Sequence, residues 1–194
     1  MFIMISVMIC FSGFAQSDSE RMAKTAFAMG NYSDAIELYK AAIALESDQT
    51  RIQYLTDRLN VSKKMNGKLK EGISLYNNKE YEEAIVSFEY ILSNNPEDTV
   101  AKKYIALSQN IITRSIEEEA LWAETSSSAT LDSYYNYLRE YPEGKYADEA
   151  KDNILFHNAL KENTASSYKK YLDQSKIKSY EFEARKRYEE LAFE

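Results

Sequence analysis

The residue best suited to acid–base chemistry is His157, the only histidine in the chain. A histidine base needs a nucleophile within hydrogen-bond reach, and a metal site needs several donors. The sequence has no second histidine, and no spacing sets a serine, threonine or aspartate beside a base. One repeat period earlier, Ala123 holds the position of His157, so the repeat does not require this side chain. We therefore predict a surface or half-buried histidine, no catalytic residues and no enzymatic activity.

The cysteine, glycine and carboxylate patterns also argue against a catalytic site. Cys10 is the only cysteine and lies in the apolar N-terminal stretch, so removal of that stretch leaves no thiol. This excludes disulfides, cysteine nucleophiles and cysteine-ligated zinc. The chain has no glycine-rich phosphate loop, and nothing raises the pKa values of its carboxylate pairs as a glycosidase needs. The sequence predicts no cofactor and no metal.

The N-terminus has the pattern of an export signal. Residues 1–14 are almost wholly apolar and carry no charge, and Gly13 and Ala15 supply small residues for cleavage. The stretch is short for a bilayer span. We predict a signal peptide over 1–15, cleaved after Ala15, with a buried N-terminal helix as the alternative. The product would be periplasmic or outer-membrane-associated in a Gram-negative-like bacterium, without a membrane span after cleavage.

The charge pattern disfavours nucleic acid as a partner. The formal net charge is −7, and no basic stripe stands out. Acidic residues are spread along helical faces, with one run at Glu117, Glu118 and Glu119. We interpret this run as a solvated helical face, with an acidic docking patch as the alternative.

The elements that would position any site are helices. The chain has five glycines and two prolines, which argues against a turn-rich sheet protein, and sixteen tyrosines. A tyrosine gives a helix a large apolar body with a polar tip, which suits thin two-layer stacks. Two apolar stripes at helical spacing follow sharp turns, one after Gly30 and one after Lys79 and Glu80, and Pro96 ends the second.

These stripes resemble the motif of the tetratricopeptide repeat (TPR) family. The matching residues are Ala23, Gly30, Tyr32, Ala35, Tyr39 and Ala42 in the first unit, and Gly72, Tyr81, Ala84, Phe88 and Pro96 in the second. The resemblance implies an all-α fold, a right-handed solenoid of stacked helical hairpins. One departure is that Tyr32 and Tyr81 lie 49 residues apart, where the family period is 34. We read residues 50–64 as an inserted helix or as an extension of the helix that follows.

The last third of the chain repeats with a period of 34 residues, typical of a stacked helical array. The pairs are Tyr134 and Tyr168, Tyr137 and Tyr171, Leu138 and Leu172, Tyr146 and Tyr180, and Ala150 and Ala184. The first copy resembles degenerate TPR-like hairpins of envelope-assembly proteins, with Pro142 and Gly144 at its turn. In the second copy Lys176 and Lys178 replace them, which predicts a differently shaped turn. Trp122 pairs with Phe156 and is predicted to be a core anchor rather than a ligand-stacking platform.

Between these regions, a long amphipathic helix is expected from Val100 to about Ala123. The stretch Thr125 to Ser128 should end it, and Ser128 or Thr130 could cap the next helix. We therefore divide the chain into a signal over 1–15, TPR-like repeats over 16–125 and two degenerate hairpins over 126–194.

The resemblance also implies a binding groove, because the first helix of each TPR pair lines a concave face. The positions that would point there by analogy are Lys24, Phe27, Ile73, Tyr76, Asn77, Lys103 and Asn110. Ordinary solvated positions are the alternative. Glu20 and Lys24 stand where the family's carboxylate clamp has lysine and asparagine, which argues against that clamp.

The function predicted from the sequence is that of a non-catalytic protein–protein interaction module, a scaffold in the cell envelope. Its partners would be envelope proteins or peptide segments. The alternatives are a self-associating adaptor, including a homodimer, and an accessory subunit of an envelope enzyme or assembly machine.

Overall fold

A computed structural model describes residues 18–193 of the chain, and within this range every regular element is an α-helix. The all-α class predicted from the sequence is confirmed, and the export signal predicted over 1–15 lies outside the described residues. The helices are α1 (18–28), α2 (Tyr32–Leu45), α3 (Gln49–Asn77), α4 (Tyr81–Asn94), α5 (Thr99–Ser128), α6 (Leu131–Glu140), α7 (Ala147–Glu162), α8 (Ala165–Gln174) and α9 (Glu181–Ala192).

The chain divides into two compact units, with the boundary between Ile112 and Thr113, inside α5. In the first unit, α2 packs on α3 and α3 packs on α4. Buried alanines on α1, α2, α4 and α5 let the helices approach closely, and aromatic side chains fill the remaining space. Its buried apolar core consists of Ala23, Phe27, Tyr32, Ala35, Tyr39, Ala42, Leu55, Leu59, Met65, Ala84, Phe88, Ile91 and Ala101.

A buried polar network joins the α1–α2 turn to the start of α5. The Asp98 carboxyl accepts a 2.5 Å hydrogen bond from the Tyr32 hydroxyl, and the Asn95 amide donates to the carbonyl of Phe27. Gly30 has a φ of +84°, and a Cβ there would lie 2.5 Å from Asp98 Oδ1. The turn therefore needs glycine both for its backbone angle and for the close approach of the carboxyl.

In the second unit, consecutive helices pack on one another, α6 on α7, α7 on α8 and α8 on α9. Two clusters of buried side chains lie between them, one for each copy of the repeat. The first consists of Trp122, Tyr134, Tyr137, Ala150 and Ile154, and the second of Phe156, Ala159, Tyr168, Tyr171 and Ala184. Trp122 is thus a core residue, as predicted.

Two long helices bear on the sequence predictions. α3 runs without interruption through residues 50–64 and on to Asn77 as one 29-residue helix, which confirms the predicted extension of the following helix over the alternative of a separate inserted helix. α5 does not end near Ala123 but continues to Ser128. Its hydroxyl groups bond back to helix carbonyls, Ser126 to Ala123 and Ser128 to Thr125. The hydroxyls therefore do not compete with the helix, as they would in a turn.

No helix within residues 18–193 combines the length and the apolar character needed to cross a bilayer.

Candidate functional site

The two copies of the 34-residue repeat begin with the same helix cap. Thr130 caps α6 by accepting from the backbone N–H of Ser133, whose hydroxyl accepts from the backbone of Thr130 in return. Thr164 and Ser167 make the same reciprocal pair at the start of α8. Each pair satisfies two backbone donors that the helix itself leaves unpaired. Of the two caps predicted for α6, Ser128 and Thr130, the structure has Thr130.

The aromatic packing of the two copies is also the same. Trp122 stacks on Tyr146 with ring centroids 4.8 Å apart and planes 5° from parallel. One period later Phe156 stacks on Tyr180 at 4.1 Å and 6°. The stack links the helix that precedes each hairpin to the residue that begins its second helix, and so fixes the register of that helix.

A tyrosine hydroxyl holds the turn inside each hairpin. The Tyr137 hydroxyl accepts a hydrogen bond from the backbone N–H of Tyr146 at 3.0 Å, and that of Tyr171 accepts from Tyr180 at 2.8 Å. Burial, together with the nearby Asp152 carboxyl, raises the pKa of Tyr171 to about 12. The protonated phenol is therefore the form that the fold favours.

An acidic side chain on the preceding helix anchors each turn. Glu118 accepts hydrogen bonds from the Tyr137 hydroxyl at 2.5 Å and from the backbone N–H of Lys145 at 2.6 Å. One period later, Asp152 accepts from the backbone N–H of Ser179 at 3.2 Å. The sequence interpretation of a merely solvated acidic face was wrong for Glu118.

The next residue of the preceding helix also holds the hairpin in each copy. The Tyr146 hydroxyl donates to Glu119 at 2.5 Å, and the Tyr180 hydroxyl donates to Asn153 at 2.8 Å. Glu118 and Asp152, like Glu119 and Asn153, lie 34 residues apart. That spacing was the sequence signal that could have identified these side chains as structural anchors.

The copies differ at the turn, both in side chains and in backbone conformation. A Cβ at Gly144 would meet Oε1 of Glu118 and lie 2.7 Å from the Tyr137 hydroxyl, so the first turn requires glycine. In the second copy the equivalent residue is Lys178, with a φ of +59°. Gly144 does not have a positive φ, so the backbone of the two turns differs at this residue. The turn of the second copy is thus differently shaped, as predicted.

A second exchange accompanies this one, at the residue that follows the first helix of each hairpin. Tyr141 in the first copy is replaced by Ser175 in the second. The Ser175 hydroxyl donates to Asp152 and accepts from the backbone N–H of Lys178 at 2.8 Å. The serine thus replaces a large ring with a small polar bridge.

A cleft of about 380 Å³ lies in the second unit where the serine stands. Its walls come from α6, from α7 and from the segment that joins α8 to α9. The lining residues are Tyr135, Leu138, Asp148, Lys151, Asp152, Ile154, Leu155, Gln174, Ser175 and Lys176. Leucine, isoleucine and tyrosine side chains make its surface mostly apolar, and charged groups are confined to the Asp148, Lys151 and Lys176 side and the anchor Asp152.

Charged side chains surround one side of this cleft. The Lys176 ammonium lies 3.0 Å from the Asp148 carboxylate, and the Lys151 ammonium lies 4.0 Å from it. Two ammonium groups thus share one carboxylate while remaining exposed to solvent. Asp152 is buried and is already hydrogen-bonded to the turn. The cleft is therefore lined by two ammonium groups and two carboxylates, with Asp148 and both lysines at the exposed rim and Asp152 buried.

The groove residues predicted in the first unit fall into two groups. Lys24 is exposed, pairs with Glu20 at 2.7 Å and lies 5.7 Å from the ring centroid of Tyr54 on α3. Phe27 is only 6% exposed and packs in the core. Tyr54, the residue that Lys24 contacts, precedes the predicted groove residue Tyr76 by 22 residues on the continuous helix α3. At 1.5 Å per residue, the two ends of the predicted groove therefore lie about 33 Å apart along α3.

The second group lies at the far end of α3 and on α5. Ile73 and Tyr76 are half-buried against the core, and Tyr76 meets Tyr104 edge to face at 5.1 Å. Asn77, Lys103 and Asn110 are exposed. The structure therefore does not gather the seven residues into one site, and a groove through them stays a prediction.

His157 is half-buried, with its ring 6.0 Å from that of Tyr134. Within residues 18–193, no three histidine, cysteine, aspartate or glutamate side chains are grouped as a metal site would require.

A scan against protein-family models found no match, and comparisons with curated proteins and with solved structures found none either. The function therefore has to be inferred from the residues and geometry of this chain.

Proposed function

We propose that this chain is a non-catalytic protein–protein interaction module, built as a right-handed solenoid of TPR-like hairpins. Two hairpins one period apart share the same caps, aromatic stack, tyrosine hydrogen bond and acidic anchor. Helices α6 to α9 each pack on the next in sequence. This is how repeat proteins bury their cores through nearest-neighbour contacts.

The observation that carries the proposal is the cleft on α6, α7 and the α8–α9 segment. Its volume of about 380 Å³ lies in the range of ligand pockets, about 300–1,000 Å³. Its apolar lining includes Tyr135, which is 52% exposed. Apolar walls with a charged rim favour a peptide segment over a small polar substrate.

Several contacts hold the elements around the cleft in place, which favours binding. α8 begins with the Thr164 cap, and α9 is fixed by the Tyr171 hydroxyl and the Phe156 stack. Side chains held in this way lose little conformational entropy when a partner binds. A pre-formed surface of this kind suits an adaptor that holds its partner without changing it.

The proposal includes export to the cell envelope of a Gram-negative-like bacterium. It rests on the uncharged apolar stretch over 1–14 and the small residue Ala15. Expression in a bacterial host with intact export should yield a periplasmic product that begins at Gln16. Intact-mass measurement of the fractionated protein tests this, and a full-length product in the cytoplasm contradicts it.

Site-specific photo-crosslinking tests the interaction function. We would place p-benzoylphenylalanine at Tyr135 on the cleft, and at Lys169, exposed on α8, as the matched control. The expected result is one dominant crosslinked partner at Tyr135 in the native envelope and none at Lys169. Equal crosslinking at both positions, or none at either, would count against an interaction module that uses this face.

Self-association is the second candidate, and one observation favours it. Phe182 is 85% exposed on α9, between Glu181 and Glu183. Aromatic side chains are enriched in the cores of protein interfaces, so an exposed phenylalanine suits a contact between copies of the chain. Light scattering at micromolar concentration should then give a dimer or larger species that Phe182→Ala converts to a monomer. A monomeric wild-type protein removes this candidate.

A further inference from the structure

We propose that the cleft binds an aromatic side chain flanked by carboxylates, supplied by a partner protein. This inference rests on the proposed function and deepens it. It starts from the comparison of the two copies, because the first copy contains the ring that the second one lacks.

Tyr141 shows how a ring sits at this position of the repeat. Its ring lies 5.8 Å from that of Tyr137, and the Arg114 guanidinium lies over it at 5.3 Å. The second-copy equivalent of Arg114 is Asp148, which lines the cleft, and that of Tyr141 is Ser175, which also lines it. The cleft is therefore the place where the repeat lacks its own tyrosine.

Apolar side chains around the vacant place complete a ring-binding surface. Leu155 corresponds to Leu121, which packs in the same cluster as Tyr141 in the first copy. Leu138 and Tyr135 from α6 add a second wall. Burying an aromatic side chain between such walls strengthens binding about 10- to 150-fold. This is enough for specific binding only if neighbouring groups also contribute.

The charges on the rim indicate which groups those are. In the first copy a cation, Arg114, lies over the tyrosine ring. In the second copy the cations are Lys151 and Lys176, which share the single carboxylate of Asp148. One ammonium can therefore pair with an incoming carboxylate or lie over an incoming ring. Acidic residues beside the aromatic residue can pair with the two exposed ammonium groups, whereas basic residues would find at the rim only the carboxylate that both lysines already contact.

The test uses a synthetic peptide, acetyl-Gly-Ser-Glu-Phe-Glu-Ser-Gly-amide, titrated into the ¹⁵N-labelled mature chain. Amide signals of Tyr135, Leu138, Leu155 and Lys176 should shift with a saturable profile. The peptide with alanine in place of phenylalanine should bind more than about tenfold more weakly, because the ring supplies the burial. The peptide with lysines in place of both glutamates should also bind more weakly.

Two protein variants complete the test. Lys176→Glu should weaken binding about fivefold, since an exposed attractive pair becomes repulsive. Lys169→Glu makes the same charge change on α8, beside Asp173 and outside the cleft lining, and should leave binding unchanged. The spectra of the free variants also report whether each is folded.

Several results would overturn the proposal, and three of them come from the peptide titrations. These are no shift at the cleft, equal binding of the alanine peptide, or an equal effect of Lys176→Glu and Lys169→Glu. Self-association that Phe182→Ala abolishes, with cleft signals that depend on protein concentration, would make a second copy the occupant and would also overturn it. Partner crosslinking at Tyr135 without peptide binding would leave the interaction function standing and remove only this occupant.

Discussion

Single side chains in the second unit serve several contacts at once. The Tyr137 hydroxyl accepts from the backbone of Tyr146 and donates to Glu118, and Glu118 also accepts from the backbone of Lys145. Removing one member leaves buried partners unsatisfied, which costs more than the lost bond alone. The effects of substitutions here should therefore depend on the contacts of each residue rather than on its type.

Two glycine-to-alanine changes distinguish the effect of these contacts on stability from the general effect of alanine's higher helix propensity. Gly144→Ala should lower the free energy of unfolding by about 2–3 kcal/mol, because its Cβ meets Glu118 and Tyr137. Gly67→Ala lies inside α3, where no atom is within 4 Å of the new Cβ, and should raise it by about 0.5–1 kcal/mol. Urea unfolding followed by circular dichroism measures both. Changes of the same sign would contradict the packing described around the turn.

The pKa of Tyr171 predicts a pH dependence. Because that pKa is raised from 10.0 to about 12, the folded state holds the phenol proton more tightly than the unfolded state. The resulting stabilisation is fully present below pH 10 and is lost as pH rises through about 12. Tyr171→Phe should cost about 1–2 kcal/mol at pH 8. The difference from wild type should shrink between pH 10 and 12.

Urea titrations at pH 8, 10, 11 and 12 check this prediction, with fluorescence of the single tryptophan, Trp122, as the probe. Tyr54→Phe is a useful control, because Tyr54 is 39% exposed on α3. A difference between wild type and Tyr171→Phe that stays constant with pH would show that the hydroxyl does not titrate with folding.

At the scale of elements, two helices begin at aspartate caps, one of which is buried and the other exposed. Asp98 caps α5 through a 2.8 Å bond from the backbone N–H of Ala101, and it is fully buried with Tyr32 as a second partner. Asp48 caps α3 through an equally short bond from Arg51, at an exposed position. The two caps have the same local geometry and different surroundings.

Alanine substitution should distinguish the contribution of the cap from that of the buried hydrogen bonds around it. Asp48→Ala should cost about 1 kcal/mol, the ordinary value of a cap. Asp98→Ala should cost about 3 kcal/mol, because it also removes the acceptor of the buried Tyr32 hydroxyl. Thermal unfolding of both variants measures the difference. Equal losses would mean that the buried network contributes nothing beyond the cap.

The helices were predictable because their signals are local. Apolar spacing identified α2 and α4, Gly30 and Pro96 marked ends, and Thr130 has the expected cap. The end of α5 was not predictable in this way. The same hydroxyl residues form turns or bond back to a helix, and the choice at Thr125, which is 1% exposed, depends on tertiary burial.

The candidate site was less predictable than the helices. Its wall residue Leu138 was part of the repeat, but the cleft depends on the absence of a ring at Ser175 and on side chains from three helices. A comparison of the two copies position by position would have shown Tyr141 replaced by serine. It could not have shown that Lys151 and Lys176 converge on one carboxylate, because that depends on the fold.

At the scale of the whole molecule, the two units have separate cores, with the boundary inside α5. In chains built from sequence-local contacts, stability is distributed among neighbouring elements. Asp98→Ala should therefore speed amide hydrogen exchange in α1, α2 and α4 more than in α8 and α9. Mass spectrometry of peptic fragments measures this. A uniform increase across residues 18–193 would mean that the units unfold together.

The first repeat turn tolerates no side chain at position 144 as it stands. A Cβ there would meet Glu118 and would lie 2.7 Å from the Tyr137 hydroxyl and 2.8 Å from the Cβ of Tyr141. Shortening the acid removes only the first of these contacts, and the second copy holds Lys178 at a φ of +59°, a backbone angle that Gly144 does not share. A lineage could therefore pass from one turn to the other only by changing the path of the backbone, and not by exchanging side chains one at a time.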